Sequence, residues 1–586
     1  MKLSDGFELL ATARDGVARL RELILSLAVR GNLTSRNVFE ELPCQLLQQI
    51  RSEREQLIET GRIKVGRAPL PVANDEKPFD LPPGWQWARL GSLSLHITDG
   101  THHTPKYLPT GVPFISVKDI DGRTVSFEDC KFISQEEHEL INRRCNPERG
   151  DVLICRIGTL GRPTLVDTDT PFSVFVSVGL VKLPKCADIS AYLHLALRSP
   201  VLAAQYEQIK AGGSHTQKLN LGDIPQLLIP LPPLEEQAHI VAKVGELMRL
   251  CDELETHGRL EGEQRARLTT ALFDALAASE SSHALAENWT RVAAHFDLLL
   301  DRPEAVDAFE QTMLQLAVRG QLVPQDPKDE PASELVNRVV AEKERLIAQG
   351  KAKRDKQLAD ITDAEKPFAL PNGWKWVRFG DVAQITSGVA LGRKTPLKNP
   401  VSLPYLRVAN VQRWHLALSE VKNVIIDKTE IDRFRLSRHD LLITEGGDWD
   451  KVGRTCIWRD EIELCVHQNH IFKARGIHRD WNPEWAELFL NSADARAYFS
   501  SSAKRTTNLA SINMSELKGC VFPVPPLAEQ VRIVERVDGL RQRCSALRER
   551  LIARQTCQAH FAEALVKQAA ASAGSQECEH GLAAAA

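Results

Sequence analysis

The 586-residue chain has no long hydrophobic run that would read as a transmembrane helix, and its opening MKLSDGFELL lacks the basic, apolar and small-residue zones of a signal peptide. Both absences predict a cytoplasmic protein. Its twelve cysteines form no CxxC pair and no CxxC-to-His spacing, which argues against a zinc site or a dithiol redox motif and predicts buried thiols. A charge excess is also missing: 74 Lys and Arg stand against 77 Asp and Glu, a net charge of −3. Any footprint for nucleic acid must therefore be a local patch.

Catalytic signatures are equally scarce. GVALGRKT from Gly388 has three residues between its glycines and an Arg before the Lys. A phosphate loop needs four residues and an uninterrupted GK[ST], so that its amides can cradle phosphate. There is no Asn-Pro-Pro-aromatic tetrapeptide and no glycine-rich methyl-donor loop. Asp119 with Asp129 and Lys131 imitates a nuclease metal triple, but acid-x-Lys patterns arise readily in solvated strands, and no metal site is expected. The histidines His102, His103, His215, His467 and His470 also lack metal-ligand spacing.

What the chain does have is a large internal repeat. EKPFDLPPGWQWARLG from Glu76 returns as EKPFALPNGWKWVRFG from Glu365, with eleven of sixteen residues identical. LAVRGNL at Leu27 and SEREQLIETGRIK at Ser52 recur at the same spacing, as LAVRGQL at Leu316 and AEKERLIAQGKAK at Ala341. PLPPLEEQ at Pro230 returns as PVPPLAEQ at Pro523. Each copy is long enough to be a domain with its own core, unlike the short units of solenoids.

Periodicity orders the rest. After each PLxEQ exit, apolar residues step by four and three: Ile240, Val244, Leu247, Cys251 and Leu254, then Ile533, Val537, Leu540, Cys544 and Leu547. This pattern predicts helices near 40 residues, about 60 Å long, whose narrow apolar stripe needs a partner. Helices also open each copy and stop at Gly31 and Gly320, and a shorter one follows, with Leu46 and Ile50 matching Leu335 and Val339. The Pro-x-Gly-Trp segments start β-rich domains. The chain thus divides into helical segment and linker (1–84), β-rich domain (85–230), long helix with second helical segment (231–373), second β-rich domain (374–523), C-terminal long helix (524–568) and a disordered Ala-rich tail (569–586).

Polar, basic segments concentrate inside the two β-rich domains. They supply Thr98, Thr101, His102, His103, Lys118, Arg123, His215, Gln217 and Lys218 in the first. The second supplies Arg407, Asn410, Arg413, Lys451, Arg454, Lys504, Arg505 and Asn508. Such donors grip phosphate and read base edges, and they also decorate ordinary surfaces.

TDGTHHTPKYLPTGVPFISVKDI, RGDVLICRIGTLG, EGGDWDKVGRTCIW and the two PLxEQ exits with their long helices resemble the specificity subunit of type I restriction-modification systems. The resemblance implies an α+β, pseudo-two-fold tandem duplication in which two α/β target-recognition domains alternate with long helices paired as an antiparallel coiled coil. It implies that each recognition domain reads one half of a bipartite double-stranded DNA site. The helices would set the gap and dock two modification subunits, and restriction subunits would join through the complex. Of the helix residues, Ile240, Val244, Leu247, Leu254, Ile533, Val537, Leu540 and Leu547 are the candidates for that docking. No catalytic residue is implied, and S-adenosylmethionine, ATP and Mg2+ are expected on the partners. The rival readings are a helical scaffold that reads no DNA and a stand-alone nuclease or methyltransferase.

Overall fold

A computed structural model describes residues 10–583 except 12, 14, 35–41, 64–68, 159, 212–216, 352–353, 355–357, 393–396, 448–450 and 506–509; it describes no side chains at 504–505 or after 569. The chain forms two units, Met1–Glu261 with Arg554–Ala586, and Gly262–Ala553. Each contains one copy of the repeat.

The opening helices, Gly16–Val29 and Pro303–Val318, end as their glycines predict. Gly31 and Gly320 adopt φ of 72° and 70°, in the left-handed region. Their amides return to Ala28 and Ala317, and the next amides return to Leu27 and Leu316, which satisfies carbonyls left open at the helix end. A Cβ at either glycine would lie 2.6 Å from Cγ of Pro82 or Pro371. The stop signal of one repeated motif is thus the contact surface of another.

Each β-rich domain is an excursion from a two-stranded base. Gln86–Arg89 pairs antiparallel with the exit strand Leu228–Leu231, and Lys375–Arg378 pairs likewise with Val521–Val524. Entry and exit therefore lie side by side. Between them the first domain holds a four-stranded antiparallel sheet in the order His96–Asp99, Val178–Lys182, Val152–Cys155, Gly161–Leu165. The second repeats that order with Ala383–Ser387, Ile471–Gly476, Leu441–Thr444 and Thr455–Ile457. A three-stranded sheet also recurs, Lys131–Ile133, Val112–Ile115 and Ser173–Val174 corresponding to Lys422–Asp427, Pro400–Leu406 and Val466–His467. The central strands, Val152–Cys155 and Leu441–Thr444, are buried throughout; their sequences are apolar except for Thr444, whose hydroxyl donates to the Lys451 carbonyl at 3.0 Å.

The long helices are Leu234–Ala277 and Leu527–Ala583, 44 and 57 residues. The second continues through the Ala-rich segment that composition marks as a disordered tail. Ala has the highest intrinsic helix propensity, so the segment extends a helix already nucleated upstream. Cys251 in the early part of the first long helix shares a cluster with Ala562 and Leu565, late in the second; in the other unit, Phe273 and Leu276, late in the first, cluster with Cys544 and Leu551 of the second. Early stretches meet late ones in both units, the antiparallel sense.

Two sequence expectations need correction. Ile240, Val244, Ile533 and Val537 are not a docking face. Ile240 and Val244 are buried with Trp85, Ile50 and Tyr192, and Ile533 and Val537 with Trp374, Val339 and Trp485. Burying side chains of this size is worth about 1.5–3 kcal/mol each, and the chain uses that here for its own core. Leu540 and Leu547 also pack on an internal cluster, while Leu247 and Leu254 are half-buried. The cysteines are not uniformly buried either: Cys145, Cys155, Cys251, Cys456, Cys465, Cys520 and Cys544 are, but Cys44, Cys186 and Cys557 are exposed.

The PLxEQ motif recurs because it closes the base of each domain. The indole N–H of Trp85 donates to Glu236 Oε2 at 2.9 Å, and that of Trp374 donates to Glu529 Oε2 at 2.9 Å. The neighbouring amides, Gln237 and Gln530, donate to the carbonyls of Pro232 and Pro525 at 3.0 and 2.9 Å. Each glutamate lies in the first turn of its long helix, where the exposed helix amides favour negative charge. Burial nevertheless raises the Glu529 pKa, a shift opposed by the Trp374 N–H and Arg532.

Candidate nucleic-acid interface

At one edge of the first domain, the end of strand His96–Asp99 carries a buried carboxylate. Asp99 accepts from both Arg144 and Arg156, and His102 Nε2 lies 3.3 Å away. Arg156 also donates to the carbonyls of Val176 and Leu219 at 3.1 and 3.2 Å, whereas Arg144 remains half-exposed. Thr101 Oγ1 lies 2.7 Å from His103 Nδ1, and His103 Nε2 lies 2.5 Å from Glu137. The result is an edge of cationic and imidazole groups whose orientation is fixed from below by carboxylates, with His102 and His103 exposed.

Gly100 makes this loop possible. A Cβ there would lie 1.9 Å from the Val174 carbonyl oxygen, and Gly388 in the second domain stands in the same relation to His467, at 2.0 Å. Both loops then form a parallel bridge, Thr101 with Phe175 and Val389 with Gln468.

Beside this loop, in each domain, is a β-hairpin. Lys210–Ala211 pairs with Lys218–Leu219, and Lys504–Arg505 with Ala510–Ser511. The first hairpin meets the segment after the central strand through Leu219 N to the Arg156 carbonyl, 2.8 Å; the second pairs with Gly446–Gly447. Within the polar segments GGSHTQKLN and SAKRTTNLA, Lys218–Leu219 and Lys504–Arg505 are thus strand residues. A two-stranded ribbon is an element the DNA major groove admits.

The candidate residues separate on this scaffold. His102, His103, Lys118, Arg123, Gln217, Lys218 and Lys451 are exposed. Thr98 and Thr101 are buried and belong to the support of the edge. Asn410 is also buried: its amide donates to the carbonyls of Ala417 and Glu420 at 2.8 and 2.9 Å, and its oxygen accepts from Arg407 N. It locks a turn and does not face a base. Asp119 does the same in the first domain, accepting from Ser116 N at 2.7 Å, which accounts for that acidic residue without a metal. Arg407 bonds to Glu420, Arg413 to Asn491 and Arg454 to Gln412. His215 and Asn508 lie outside the described residues, as do the side chains of Lys504 and Arg505. His470 lies 2.7 Å from Glu445, while burial pushes the His467 pKa down to about 3, so its ring is neutral.

Arg144 and Arg156 were not legible as site residues. Arg156 follows the apolar run of strand Val152–Cys155 and could have been suspected from that place, but Arg144 lies just past a helix end, 45 residues from its carboxylate in the chain, and no local pattern marks it.

Two readers of one topology, each raised on a base clamped to a long helix, define a duplicated, two-headed nucleic-acid-binding protein. The family model for the type I restriction modification DNA specificity domain matches the chain twice, at residues 83–262 and 371–554. The chain belongs to this family and carries two such domains. It is 31% identical over 573 residues to the EcoAI specificity subunit of Escherichia coli, with 94% of each chain covered, and 30% identical over 567 residues to the EcoEI specificity subunit, with the same coverage. The solved HsdS subunit from Thermoanaerobacter tengcongensis aligns at 20% identity and a TM-score of 0.40, covering 84% of this chain and 98% of that one. Among the described residues no helix is long and apolar enough to cross a membrane.

Proposed function

We propose that this chain is the DNA-reading subunit of a type I restriction-modification complex and that each specificity domain reads one half of a bipartite duplex site. The observation that carries this is the repetition of one topology, with its hairpin and glycine-fixed loop, around different side chains at the reading edge. The first edge offers His102, His103, Arg144 and Lys218, and the second offers Lys451 and His470 in different places. An asymmetric site follows from a symmetric frame, as half-site reading does in dimers.

The chain supplies recognition and no catalytic residue; S-adenosylmethionine, ATP and Mg2+ are assigned to its partners. Two modification subunits dock on the helices, and restriction subunits join through that assembly. Since Ile240, Val244, Ile533 and Val537 are internal, docking falls to outward positions such as Leu250, Leu260, Leu268, Val531 and Phe561, all exposed. The helices also act as the ruler between half-sites. A seven-residue insertion at Gly258 keeps the seam in register and adds about 10 Å, which should widen the preferred gap by about three base pairs.

The test is replacement of residues 85–230 by the matching domain of a relative, followed by mapping of methylated positions in a host carrying the full complex. One half of the motif should change and the other should persist. A change in both halves, or methylation without sequence preference, would overturn the assignment.

A further inference from the structure

The two domains differ at one place beside their reading edges. In the first, the turn at Asp121, Gly122 and Arg123, the strand start at Arg162 and the helix end at Arg198 line an open pocket of about 270 Å3, together with Tyr206. None of the three guanidinium groups makes a hydrogen bond or ion pair among the described residues. Asp121 also lines the pocket, but its Oδ1 accepts from the backbone N–H of Arg123 and Thr124 at 2.6 and 2.9 Å. Three guanidiniums and one carboxylate leave an excess of two positive charges. The backbone is shaped to gather them. Arg162 is held at φ 35°, in the left-handed region, and Gly122 packs so closely that a Cβ would lie 3.0 Å from Arg162 Cγ. Such strain is retained where the surroundings impose it, often at binding sites.

The second domain fills the same place. Arg454 stands where Arg162 does, and it donates to Gln412, the counterpart of Asp121, at 2.6 Å. Asn491 replaces Arg198, donates to the Thr455 carbonyl at 2.8 Å and accepts from Arg413 at 3.2 Å. Trp414 replaces Arg123, and the Arg541 guanidinium covers its ring at 4.0 Å. One domain thus satisfies these polar groups internally, and the other leaves three cations unpaired around a cavity.

We infer that Arg123, Arg162 and Arg198 form a grip for a phosphodiester of the DNA backbone, present in the first domain and absent from the second. The chemistry asks for a multidentate oxyanion, because guanidinium forks match phosphate oxygens. The place favours DNA as its source: Leu160 of the pocket is two residues beyond Gly158, whose amide bonds to the Gln217 carbonyl at the hairpin. This rests on the DNA-reading assignment above and adds that the two half-sites are held by unequal electrostatics.

The experiment uses the full chain in complex with its modification subunits and measures DNA binding by fluorescence anisotropy across a salt series, on cognate and scrambled duplexes. Arg198→Gln and Arg162→Gln should each weaken both duplexes about tenfold and lower the slope of log affinity against log salt by about one, whereas Arg454→Gln should leave the slope unchanged. A methylphosphonate at the gripped position should weaken the wild type and cost Arg198→Gln nothing further. Unchanged slopes in complexes that still bind cognate DNA would overturn the grip alone, as would a loss confined to the cognate duplex. Saturation of the pocket by inorganic phosphate, detected as Arg198-dependent binding while the DNA slope stays unchanged, would reassign it to a free anion. A wild-type complex that binds neither duplex would overturn the DNA-reading assignment together with the grip.

Discussion

In the first repeat Arg21, on the opening helix, pairs with Asp252 and Glu255 of the long helix; in the second, the matching position is Glu310, which pairs with Arg541 and Arg548. The contact is conserved between the copies and its polarity is reversed. The indole-to-glutamate clamps, by contrast, are identical down to the donor atom and the 2.9 Å distance. The difference follows from burial. A pair still partly open to solvent needs only opposite charges and contributes about 0–1 kcal/mol, so either polarity serves. A buried N–H needs an acceptor at one point in space, and leaving that bond unmade costs about 1–3 kcal/mol. The reversal has a further consequence: exchanging the opening helices between copies would set Arg21 against Arg548 and Glu310 against Glu255.

The clamp offers the strongest test of the likeness. Trp85→Ala and Trp374→Ala should each lower the stability of their own repeat by about 3–5 kcal/mol, through the cavity and the loss of the indole hydrogen bond together. Denaturant unfolding of the two variants checks this, and a large cost in one repeat with little in the other would break the comparison. Next come Gly100→Ala and Gly388→Ala, whose new methyl groups meet backbone carbonyls that cannot turn away; about 1–3 kcal/mol is expected at each, with weakened DNA binding in the affected half-site.

Charge reversal is smaller. Arg21→Glu should destabilise the first repeat, and adding Glu255→Arg should recover part of the loss, with a coupling of about 0.5–1 kcal/mol in a double-mutant cycle at low salt. No coupling would mean that the opening helices are held by their apolar faces alone.

The second repeat also contains two glutamates that should respond to acid in opposite ways. Glu529 has a folded-state pKa raised by burial above its ordinary 4.5. Its ionised form is disfavoured in the fold, so its contribution to stability improves as pH falls through that raised pKa towards 4.5. The hydrogen bond from Arg378 holds the Glu365 pKa down to about 2. That contribution is fully present above 4.5 and is lost as pH falls towards 2. Glu529→Gln should remove the first trend and Glu365→Gln the second in stability measured against pH. Two variants with the same pH profile as the wild type would show that neither carboxylate titrates with unfolding.

Several features were determined by sequence alone, because each rests on local chemistry or on spacing that survives in one dimension. The duplication is visible as repeated words, the long helices as a stripe stepping by four and three, and the stops at Gly31 and Gly320 as residues free to take positive φ. Tertiary structure decided what covers each face. Periodicity assigns Ile240 and Ile533 to an apolar stripe, but only the pairing of entry with exit strand shows that the stripe closes the domain above it and is unavailable to a partner. Polar residues show the same limit. Asn410, Thr98 and Lys218 are equally plausible donors in a sequence, yet two are enclosed and one is exposed. Arg162 and Arg454 occupy one position in two copies, one beside an open pocket and the other bonded to Gln412. A side chain's hydrogen-bonding capacity is fixed by its chemistry, but whether that capacity is already spent depends on groups far away in the chain, which only folding brings within reach.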